Sequence, residues 1–365
     1  MAGSTYGTIF KIMTWGESHG KGIGVVIDGC PAGIPLTEED IQKALDRRKP
    51  GQSRYSTQRS ESDLVHIMSG VFEGKTTGTP IALEVLNLDQ RSRDYSEIAS
   101  CYRPGHADYT FDAKYGFRDY RGGGRSSGRE TIGRVAAGAI AANLLSMMGI
   151  QITAYAKEIG GITAKTIDLN EIDNNPVRMP DAQAARQVQE YLNEKMAEKD
   201  SAGGIIECIV TGLPAGIGDP VFEKLDANLA KAMLSIGAVK GFEMGDGFQA
   251  AASVGSANND AFFMKNGQIE KKTNHAGGTL GGISDGSPLV FRAAFKPTPS
   301  IASVQETVNR NGENIEISIK GRHDPIIVPR AVVVVESMAA LTIADALLLN
   351  MTSQADRIAA FYRTF

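Results

Sequence analysis

Cysteine is scarce in this sequence. The 365 residues include three, Cys30, Cys101 and Cys208, which lie far apart and form no CxxC pair. Because no disulfide framework or cysteine–histidine ligand set can be built from them, we expect a reducing compartment, the cytoplasm. No two histidines have the HExxH spacing of a zinc enzyme, so we expect no catalytic metal.

The sequence also lacks an excess of positive charge. Its 38 basic and 42 acidic residues give a formal net charge of −4, which excludes a globally basic nucleic-acid binder or membrane-surface protein. It contains no run of about 18 uninterrupted apolar residues, and its start has no basic region followed by an apolar segment. We therefore expect a soluble protein with neither nucleic acid nor membrane as a partner.

The common nucleotide-binding motifs are absent too. A GxGxxG pattern starting at Gly122 and Gly124 would place Ser127 where the third glycine is required, and no GxxxxGK[ST] occurs. The glycine-rich segments are therefore neither a Rossmann turn nor a P-loop.

Glycine, in contrast, is abundant. The 41 glycines exceed the usual share of roughly 7%, and they concentrate near polar and basic residues. Since glycine lets the backbone approach a ligand closely, this distribution indicates tight loops around a binding site.

One order of elements occurs twice. Residues 24–28 predict a buried strand, followed by a GCPAGI turn and a helix over Glu38–Arg48 that a TxxD capping box opens. Residues 205–210 predict a second strand, followed by GLPAGI and a helix over 222–233. The two copies predict related halves around one core, in a single domain spanning 1–365. The alternative is a chance match, because Pro-Ala-Gly is a good turn sequence.

Further elements are predicted in the middle and at the end of the chain. The apolar spacing from Glu130 to Met148 predicts a long helix, whose small residues allow close packing. The β-branched run Ala331–Val335 predicts a strand, and the segment Met338–Met351 predicts a helix rich in leucine and alanine. No linker rich in proline or serine divides the chain.

Four segments combine histidine, arginine, serine and glycine, which a packed core does not need. In the first, GESHG, flanking glycines let Ser18 and His19 approach a ligand, and an imidazole beside a hydroxyl can move protons. In the second, five cations within residues 47–59 surround a Pro-Gly turn, and guanidinium groups form paired bonds with phosphate oxygens. A solvated basic face, or contact with nucleic-acid phosphates, is the alternative for this cluster.

The third segment, residues 102–131, contains His106 and leads into the long helix. Glycine-rich backbone before a helix N-terminus suits an anion, because free N–H groups and the helix dipole point at it. The fourth comprises FKPTPS and GRHDP, where Arg322 can hold an anion and Asp324 can orient a proton donor. A structural ion pair is equally compatible with those two residue types.

With these motifs in their order along the chain, the sequence resembles the chorismate synthase family over essentially its whole length. The motifs that carry the likeness are GESHG, DRRxPGxSR, RPGHADYT, DYRGGGRSS, GRET, AVKGFE, FKPTPS and GRHDP. Two departures are small: Lys49 stands where many members have arginine, and Gly128 where alanine is commoner.

The resemblance implies an α+β fold, a β-α-β-α sandwich with helices enclosed between sheets, assembled as a homotetramer. It implies a lyase that removes phosphate and a hydrogen from 5-enolpyruvylshikimate-3-phosphate by anti 1,4-elimination, giving chorismate at the last step of the shikimate pathway. The departing hydrogen is not adjacent to a carbonyl, so a side-chain base cannot easily remove it as a proton. The family uses reduced FMN without net redox change, and NADPH is a candidate reductant of that flavin.

The resemblance also implies roles for individual residues. His19 matches the acid that protonates the leaving phosphate, and His106 the group that protonates or steadies the flavin near N1. Ser18, Ser127 and Asp324 match a relay that assists flavin N5.

The arginines that match substrate-binding positions are Arg48, Arg54, Arg103, Arg134 and Arg322. A substrate with about four negative charges requires several cations when it leaves water. The positions that match FMN contacts are Arg125, Ser126, Ser127, Ala238, Val239, Gly278, Lys296, Pro297, Thr298, Pro299, Ser300 and Arg322. Arg48 and Arg54 are also associated with NADPH in the family.

Two rival functions remain at this stage. The first is a flavin oxidoreductase that uses NADPH to reduce a separate acceptor. The second is a non-enzymatic protein that binds anions or RNA through the cations of residues 47–59.

Overall fold

A computed structural model describes residues 3–56, 61–88, 97–319 and 324–363. The helices are α1 (Glu38–Arg48), α2 (Asp108–Tyr115), α3 (Thr131–Ser146), α4 (Ala182–Ala197), α5 (Leu225–Leu234), α6 (Gly255–Asn258), α7 (Val328–Asn350) and α8 (Ala355–Tyr362). The strands are β1 (Thr5–Tyr6), β2 (Lys11–Gly16), β3 (Gly22–Asp28), β4 (Val65–Ile67), β5 (Val71–Phe72), β6 (Lys75–Thr76), β7 (Ile81–Leu86), β8 (Gln151–Ile159), β9 (Ile162–Thr163), β10 (Gly204–Thr211), β11 (Val239–Met244), β12 (Phe262–Lys265), β13 (Gln268–Lys271), β14 (Thr279–Leu280), β15 (Ile283–Ser284), β16 (Leu289–Phe295), β17 (Val304–Val308) and β18 (Asn314–Ser318).

Two five-stranded antiparallel sheets form the outer layers. Sheet 1 has the order β1-β2-β3-β7-β4, and sheet 2 has the order β11-β16-β10-β8-β9. The other strands pair as short two-stranded ribbons. Alternate side chains of β16, such as Leu289, Phe291 and Ala293, are fully buried, as expected of a sheet with one face on the core.

Four helices fill the space between the sheets. Helices α1 and α3 pack on sheet 1, α5 and α7 pack on sheet 2, and α3 packs along α7 at the centre. The layers therefore follow the order sheet, helices, helices, sheet. This arrangement confirms the α+β sandwich with enclosed helices that the resemblance implies.

The central crossing of α3 and α7 is close because of one glycine. A Cβ atom added to Gly138 on α3 would lie 2.3 Å from the Cβ of Ser337 on α7. Only a residue without a side chain fits there without displacing one of the helices.

The two halves repeat the same order of elements. The chain runs β2-β3-α1-β4-β7-α3 in the first half and β8-β10-α5-β11-β16-α7 in the second. The spatial order of the strands also agrees. It is β2-β3-β7-β4 in sheet 1 and, at equivalent positions, β8-β10-β16-β11 in sheet 2. The two GxPAGI turns follow the equivalent strands β3 and β10, so the predicted repeat is confirmed and is not a chance match.

Local signals predict the first helix closely. Helix α1 has the predicted bounds, and its capping box is formed: the Thr37 side chain accepts from the Asp40 N–H, and the Asp40 side chain accepts from the Thr37 N–H. Helix α5 begins at Leu225, three residues later than predicted, and Phe222 is 88% exposed.

The predicted strand Ala331–Val335 is wrong. These residues belong to α7, a single helix over Val328–Asn350 with proline in its first turn. All five side chains are buried between the other helices and sheet 2. Burial on every side outweighs the weak strand preference of valine, because intrinsic propensity spans less than about 1 kcal/mol per residue.

Helix α7 is long and apolar enough, by length and composition, to cross a membrane. However, 67% of its most apolar 18-residue window is buried inside the fold, as in the core helix of a folded domain.

Near the end of α7, the Asp345 carboxylate accepts the backbone N–H groups of Thr8, Ile9 and Phe10 at 2.7–2.9 Å.

Candidate active site

The segments singled out in the sequence meet at one end of the sandwich. In sheet 1, the GESHG segment connects β2 to β3 at this end. In sheet 2, the equivalent end follows β16, where the Lys296 N–H donates to the Ala238 carbonyl oxygen at 3.0 Å. The N-terminus of α3 lies between them: Arg125 donates to the Gly16 oxygen at 3.1 Å, and Arg134 donates to the Ser235 hydroxyl at 2.6 Å.

Ser18 and His19 are buried in the β2–β3 loop, and His19 is 6% exposed. The Ser18 Oγ lies 3.2 Å from the His19 Nδ1. Gly122, at φ +75°, packs on both: an added Cβ would lie 2.6 Å from the His19 Nδ1 and 3.0 Å from the Ser18 Oγ. Glycine is therefore required at this position by backbone conformation and by space.

A carboxylate is also close to this imidazole. Hydrogen bonds and charge from Arg121, with a further contribution from the charge of His19, hold the pKa of Asp119 below its ordinary value. A neighbouring carboxylate favours the protonated form of an imidazole.

His106 is linked to the same glycine through Arg103. Arg103 forms paired bonds with Asp108, each 2.8 Å long, and its Nη2 also donates to the Gly122 oxygen at 3.1 Å. The His106 Nδ1 lies 3.0 Å from that Nη2 and 3.0 Å from the Asp108 Oδ1. The two imidazoles are thus brought together through Arg103 and Gly122.

The two partners of the His106 Nδ1 are exclusive. Arginine can only donate, so a ring without a hydrogen on Nδ1 accepts from Arg103, whereas a ring with a hydrogen there donates to Asp108. Burial alone would raise the pKa of Asp108, but hydrogen bonds from Arg103 and His106 outweigh it and hold that pKa well below its usual range. The protein therefore occupies Nδ1 in both states and leaves Nε2 for a ligand.

Ser127 lies beside the next glycine. Its hydroxyl accepts the Arg129 N–H at 3.3 Å, and a Cβ on Gly123 would lie 3.1 Å from the Ser127 Cα. Ser18 and Ser127 therefore pack on consecutive glycines. Ser126 is exposed next to them.

Asp324 is paired with an arginine that contacts the end of α1. Its carboxylate accepts two bonds from Arg330, at 3.0 and 2.8 Å, and the Arg330 Nε donates to the Arg48 carbonyl oxygen at 3.0 Å. Arg322, predicted to contact both substrate and FMN, lies outside the described residues, and so does Arg59 of the basic cluster.

Arg48 differs from its expected role as an open ligand for substrate or NADPH. It is 1% exposed and donates to the Asp63 carboxylate at 2.6 Å and to the Gly128 oxygen at 3.1 Å. Burial lowers the pKa of Arg48 to about 10, so the guanidinium remains charged at neutral pH. Arg48 is therefore half of a buried ion pair, and the expectation is corrected.

The other predicted arginines occupy three kinds of position. Arg103 is buried against Asp108, as described above. Arg125 and Arg134 lie on either side of the Glu130 carboxylate, which accepts from the Arg134 Nε at 2.8 Å. Arg54 is exposed and stacks on the Tyr55 ring, 5.0 Å from its centroid.

The FKPTPS segment lies against the His106 loop. The Lys296 ammonium donates to the Gly105 oxygen at 2.6 Å, and the Pro299 Cβ is 3.1 Å from an added Cβ on Gly105. Burial, with the nearby charge of Lys240, lowers the pKa of Lys296. The Thr298 Oγ1 is buried and has no hydrogen-bond partner among the described residues, so it is suited to a polar ligand.

One predicted FMN contact lies elsewhere. Ala238 and Val239 are at the same end as Lys296, but Gly278 packs on Pro288 and Leu289 at the start of β16. Because β16 has seven residues, its two ends are about 20 Å apart. A single chain does not bring Gly278 to the other predicted contacts.

Sequence reasoning missed two residues of the site. Arg129 donates to Asp63 at 2.9 Å, and its Nη2 has no partner among the described residues. The Asn87 side chain bonds both to Arg129 and to the GESHG loop. Arg129 was inside a recognised motif, whereas nothing in the sequence around Asn87 marks it.

No group of three or more potential metal ligands occurs in the parts of the chain that the structure describes.

The fold and this site define a class: an enzyme that handles a small anionic molecule with two imidazoles, two serines and several cations. A sequence model described as chorismate synthase matches residues 10–348. The chorismate synthase of Agathobacter rectalis is 67% identical over 365 residues, covering 100% of both chains. That of Methanosarcina mazei is 57% identical over 353 residues, covering 95% of this chain and 97% of the relative.

A solved structure gives the same result. A crystal structure of chorismate synthase matches with a TM-score of 0.77 and 31% identity, covering 98% of each chain. The chain belongs to the chorismate synthase family. Its enzymes are lyases that carry out the last step of the shikimate pathway.

Proposed function

We propose that this chain eliminates phosphate from 5-enolpyruvylshikimate-3-phosphate at Gly122–Gly123, with reduced FMN held between the His106 loop and the FKPTPS segment. The single observation that carries the proposal is a set of contacts around two glycines: Ser18 and His19 pack on Gly122, and Ser127 packs on Gly123. The Gly122 oxygen also accepts from Arg103, whose Nη2 lies beside the His106 ring. These side chains come from two segments, GESHG and residues 102–131, that lie far apart in the chain.

Each imidazole has a distinct task in this proposal. His19 protonates the departing phosphate, and nearby Asp119 favours the protonated ring. His106 presents its Nε2 to the flavin, while Arg103 and Asp108 fix its Nδ1. Reduced FMN bound there would lend an electron as the C3–O bond to phosphate breaks and would accept the C6 hydrogen atom, which leaves its redox state unchanged at the end.

Cations and an unpaired hydroxyl support the binding of the anionic ligands. Lys296, Arg125 and Arg134 lie at the same end, and the Thr298 hydroxyl has no partner within residues 3–56, 61–88, 97–319 and 324–363. Ser126, Pro297 and Ser300 complete the FMN surface in this proposal, together with Arg322. Asp324 acts on flavin N5 through the relay of Ser18 and Ser127.

NADPH is the proposed external reductant of the flavin. Arg54 is the exposed cation of the basic cluster, so a soluble dinucleotide can reach it. Arg48 is not part of this proposal, because its guanidinium is buried against Asp63.

We also propose a cytoplasmic homotetramer that acts without nucleic acid or membrane. The position of Gly278 supports assembly, because this residue can contact flavin only in the site of another copy. In that arrangement the end of sheet 2 that carries Gly278 faces the catalytic end of a neighbouring subunit.

The test is an anaerobic assay of the full chain with chemically reduced FMN and the phosphorylated enolpyruvyl substrate. We expect chorismate and inorganic phosphate in equal amounts, with flavin returned in its reduced state. A repeat with oxidised FMN and NADPH alone tests the reductant. Retained flavin without chorismate would favour the oxidoreductase, and salt-dependent nucleic-acid affinity without flavin would favour the non-enzymatic alternative.

A further inference from the structure

Asn87 clamps the loop that carries His19. It follows β7 and is 8% exposed. Its amide nitrogen donates to the carbonyl oxygens of Glu17 at 3.0 Å and Gly20 at 2.9 Å, the residues on either side of Ser18 and His19. Its backbone N–H donates to the Lys21 oxygen at 3.1 Å. Both hydrogens of the side-chain amide are therefore used on one loop.

The opposite side of this amide is fixed by buried charges. The Asn87 Oδ1 accepts the Arg129 Nε at 3.0 Å, and the Arg129 Nη1 donates to the Asp63 Oδ1 at 2.9 Å. The other Asp63 oxygen accepts from Arg48 at 2.6 Å. Because arginine cannot accept, the amide oxygen must face Arg129 and the amide nitrogen must face the loop.

Asp63 remains charged in this arrangement. Burial alone would raise the pKa of Asp63, but attraction by Arg48 and Arg129 outweighs it and holds that pKa below its ordinary value. The carboxylate therefore stays negative at neutral pH and keeps Arg129 in one orientation. The orientation of Arg129 in turn determines that of Asn87.

The loop needs such a clamp because its own sequence is permissive. Gly16 and Gly20 bound it, and Gly16 has a φ of +86°. Glycine backbone loses more conformational freedom on ordering than any other residue, so an unsupported GESHG loop would sample many conformations. A general acid must be held within a fraction of an ångström of its productive position.

From this geometry we infer that Asn87 is a positioning residue for His19, held in place by the buried series Arg48–Asp63–Arg129. The inference rests on the proposed role of His19 as the acid for the departing phosphate. It gives the two buried arginines a second task besides neutralising the Asp63 carboxylate.

Asn87→Asp is the discriminating variant. It keeps the size of the side chain and the acceptor for Arg129. It replaces the two loop-binding N–H donors with an oxygen that faces two carbonyl oxygens at about 3 Å, so the clamp becomes repulsive. Asn87→Ala removes the clamp without adding a charge and serves as the second variant if Asn87→Asp does not fold.

Asn175 offers a matched control. Its amide nitrogen donates to the Glu171 and Met179 oxygens, both at 2.8 Å, and its Oδ1 accepts the Met179 N–H at 3.1 Å. This is the same clamp on a loop that contributes no residue to the site. Asn175→Asp therefore carries the same change in hydrogen bonding without the catalytic consequence.

The measurements are kcat, KM for the substrate and urea unfolding of the full chain with reduced FMN. We expect Asn87→Asp to lower kcat by about 10²-fold, the usual effect of a small displacement of a catalytic group. KM should change little, and Asn175→Asp should retain kcat with a similar loss of stability. In a His19→Ala background, Asn87→Asp should lower kcat by less than about threefold, because the clamp then has no acid to place.

Two results would overturn the inference. One is an Asn87→Asp variant, or Asn87→Ala in its stead, with normal kcat. The other is an equal loss of kcat in the wild-type and His19→Ala backgrounds, which would show a purely structural role. Full turnover of the His19→Ala single variant would instead refute the role of His19 itself, so the two failures are distinguishable.

Discussion

At the scale of single residues, the cations near the site fall into two groups. Arg48 and Arg103 are buried against Asp63 and Asp108, whereas Lys296 and Arg54 have polar or aromatic partners without a carboxylate. An arginine whose own side chain is also buried against its carboxylate has little free charge to offer a ligand. Its partners, however, orient neighbouring groups that the reaction uses.

Replacing either catalytic imidazole should slow turnover without unfolding the chain. We expect His19→Ala and His106→Ala each to lower kcat by roughly 10²- to 10⁴-fold, the usual contribution of a general acid or base. Steady-state assays with reduced FMN provide the measurement. His66→Ala, on edge strand β4, is the control and should keep full activity. Near-normal turnover of either site variant would remove that residue from the mechanism.

Arg48→Ala should act on stability before it acts on substrate binding. Removing the guanidinium leaves the Asp63 carboxylate buried with one partner fewer, which costs about 3–5 kcal/mol in comparable buried pairs. Arg54→Ala, at an exposed position, should change the free energy of unfolding by less than about 0.5 kcal/mol. Urea unfolding of both variants measures the difference. Equal stabilities would contradict the burial of the Arg48 charge.

The sequence contains enough information to mark Ser18, His19 and His106, because motif and residue type coincide there. It could not predict the position of Arg48. A basic cluster is compatible with either an open anion site or a buried ion pair. The partner that decides between them, Asp63, lies fifteen residues away in the chain, with nothing to mark it as the partner.

At the scale of elements, prediction succeeds where the signals are local. Helix α1 has its acidic first turn and basic last turn within eleven residues, and its capping box begins at Thr37, directly before them. Helix α7 has a run of valines that favours a strand locally, and it is helical because of what surrounds it. A short stretch of sequence does not show which distant elements will pack against it.

The close crossing of α3 and α7 predicts that one added methyl group at Gly138 will lower the stability of the fold. Gly138→Ala places a Cβ against Ser337, and we expect it to lower the free energy of unfolding by about 1–3 kcal/mol through overpacking. Gly128→Ala is the control, since nothing lies within 4 Å of a Cβ there. Thermal or urea unfolding compares the two. A Gly138→Ala variant as stable as Gly128→Ala would mean that the helices can separate freely.

At the scale of the whole molecule, the two halves contribute different chemistry. The first half supplies Ser18, His19 and His106, and the second supplies Ala238 and the FKPTPS segment. Equivalent ends of the two sheets meet at this site. The repeat could be predicted from the two GxPAGI turns. Which half supplies which residues of the site could not be predicted, because it depends on which loops face each other in the fold.

The buried carboxylates give the molecule a predictable response to acid. The pKa values of Asp63 and Asp108 are held below the value of about 3.9 in an unfolded chain. The unfolded state therefore binds protons first, and the stability from these groups, complete above about pH 5, is lost as the pH falls toward the folded pKa values.

Urea unfolding between pH 6 and pH 3 measures this loss. The free energy of unfolding should be level at the upper end and decrease steadily below about pH 4. Asp108→Asn should be less stable at pH 6 but lose less on acidification. A profile for Asp108→Asn that runs parallel to wild type would contradict the contribution of that carboxylate.

The bonds between Asp345 and Thr8, Ile9 and Phe10 join positions more than 330 residues apart. During synthesis on the ribosome, this anchor cannot form until residue 345 has emerged, long after residues 8–10. A nascent chain halted before residue 345 would therefore lack the anchor, with these three N–H groups unbound to the Asp345 carboxylate.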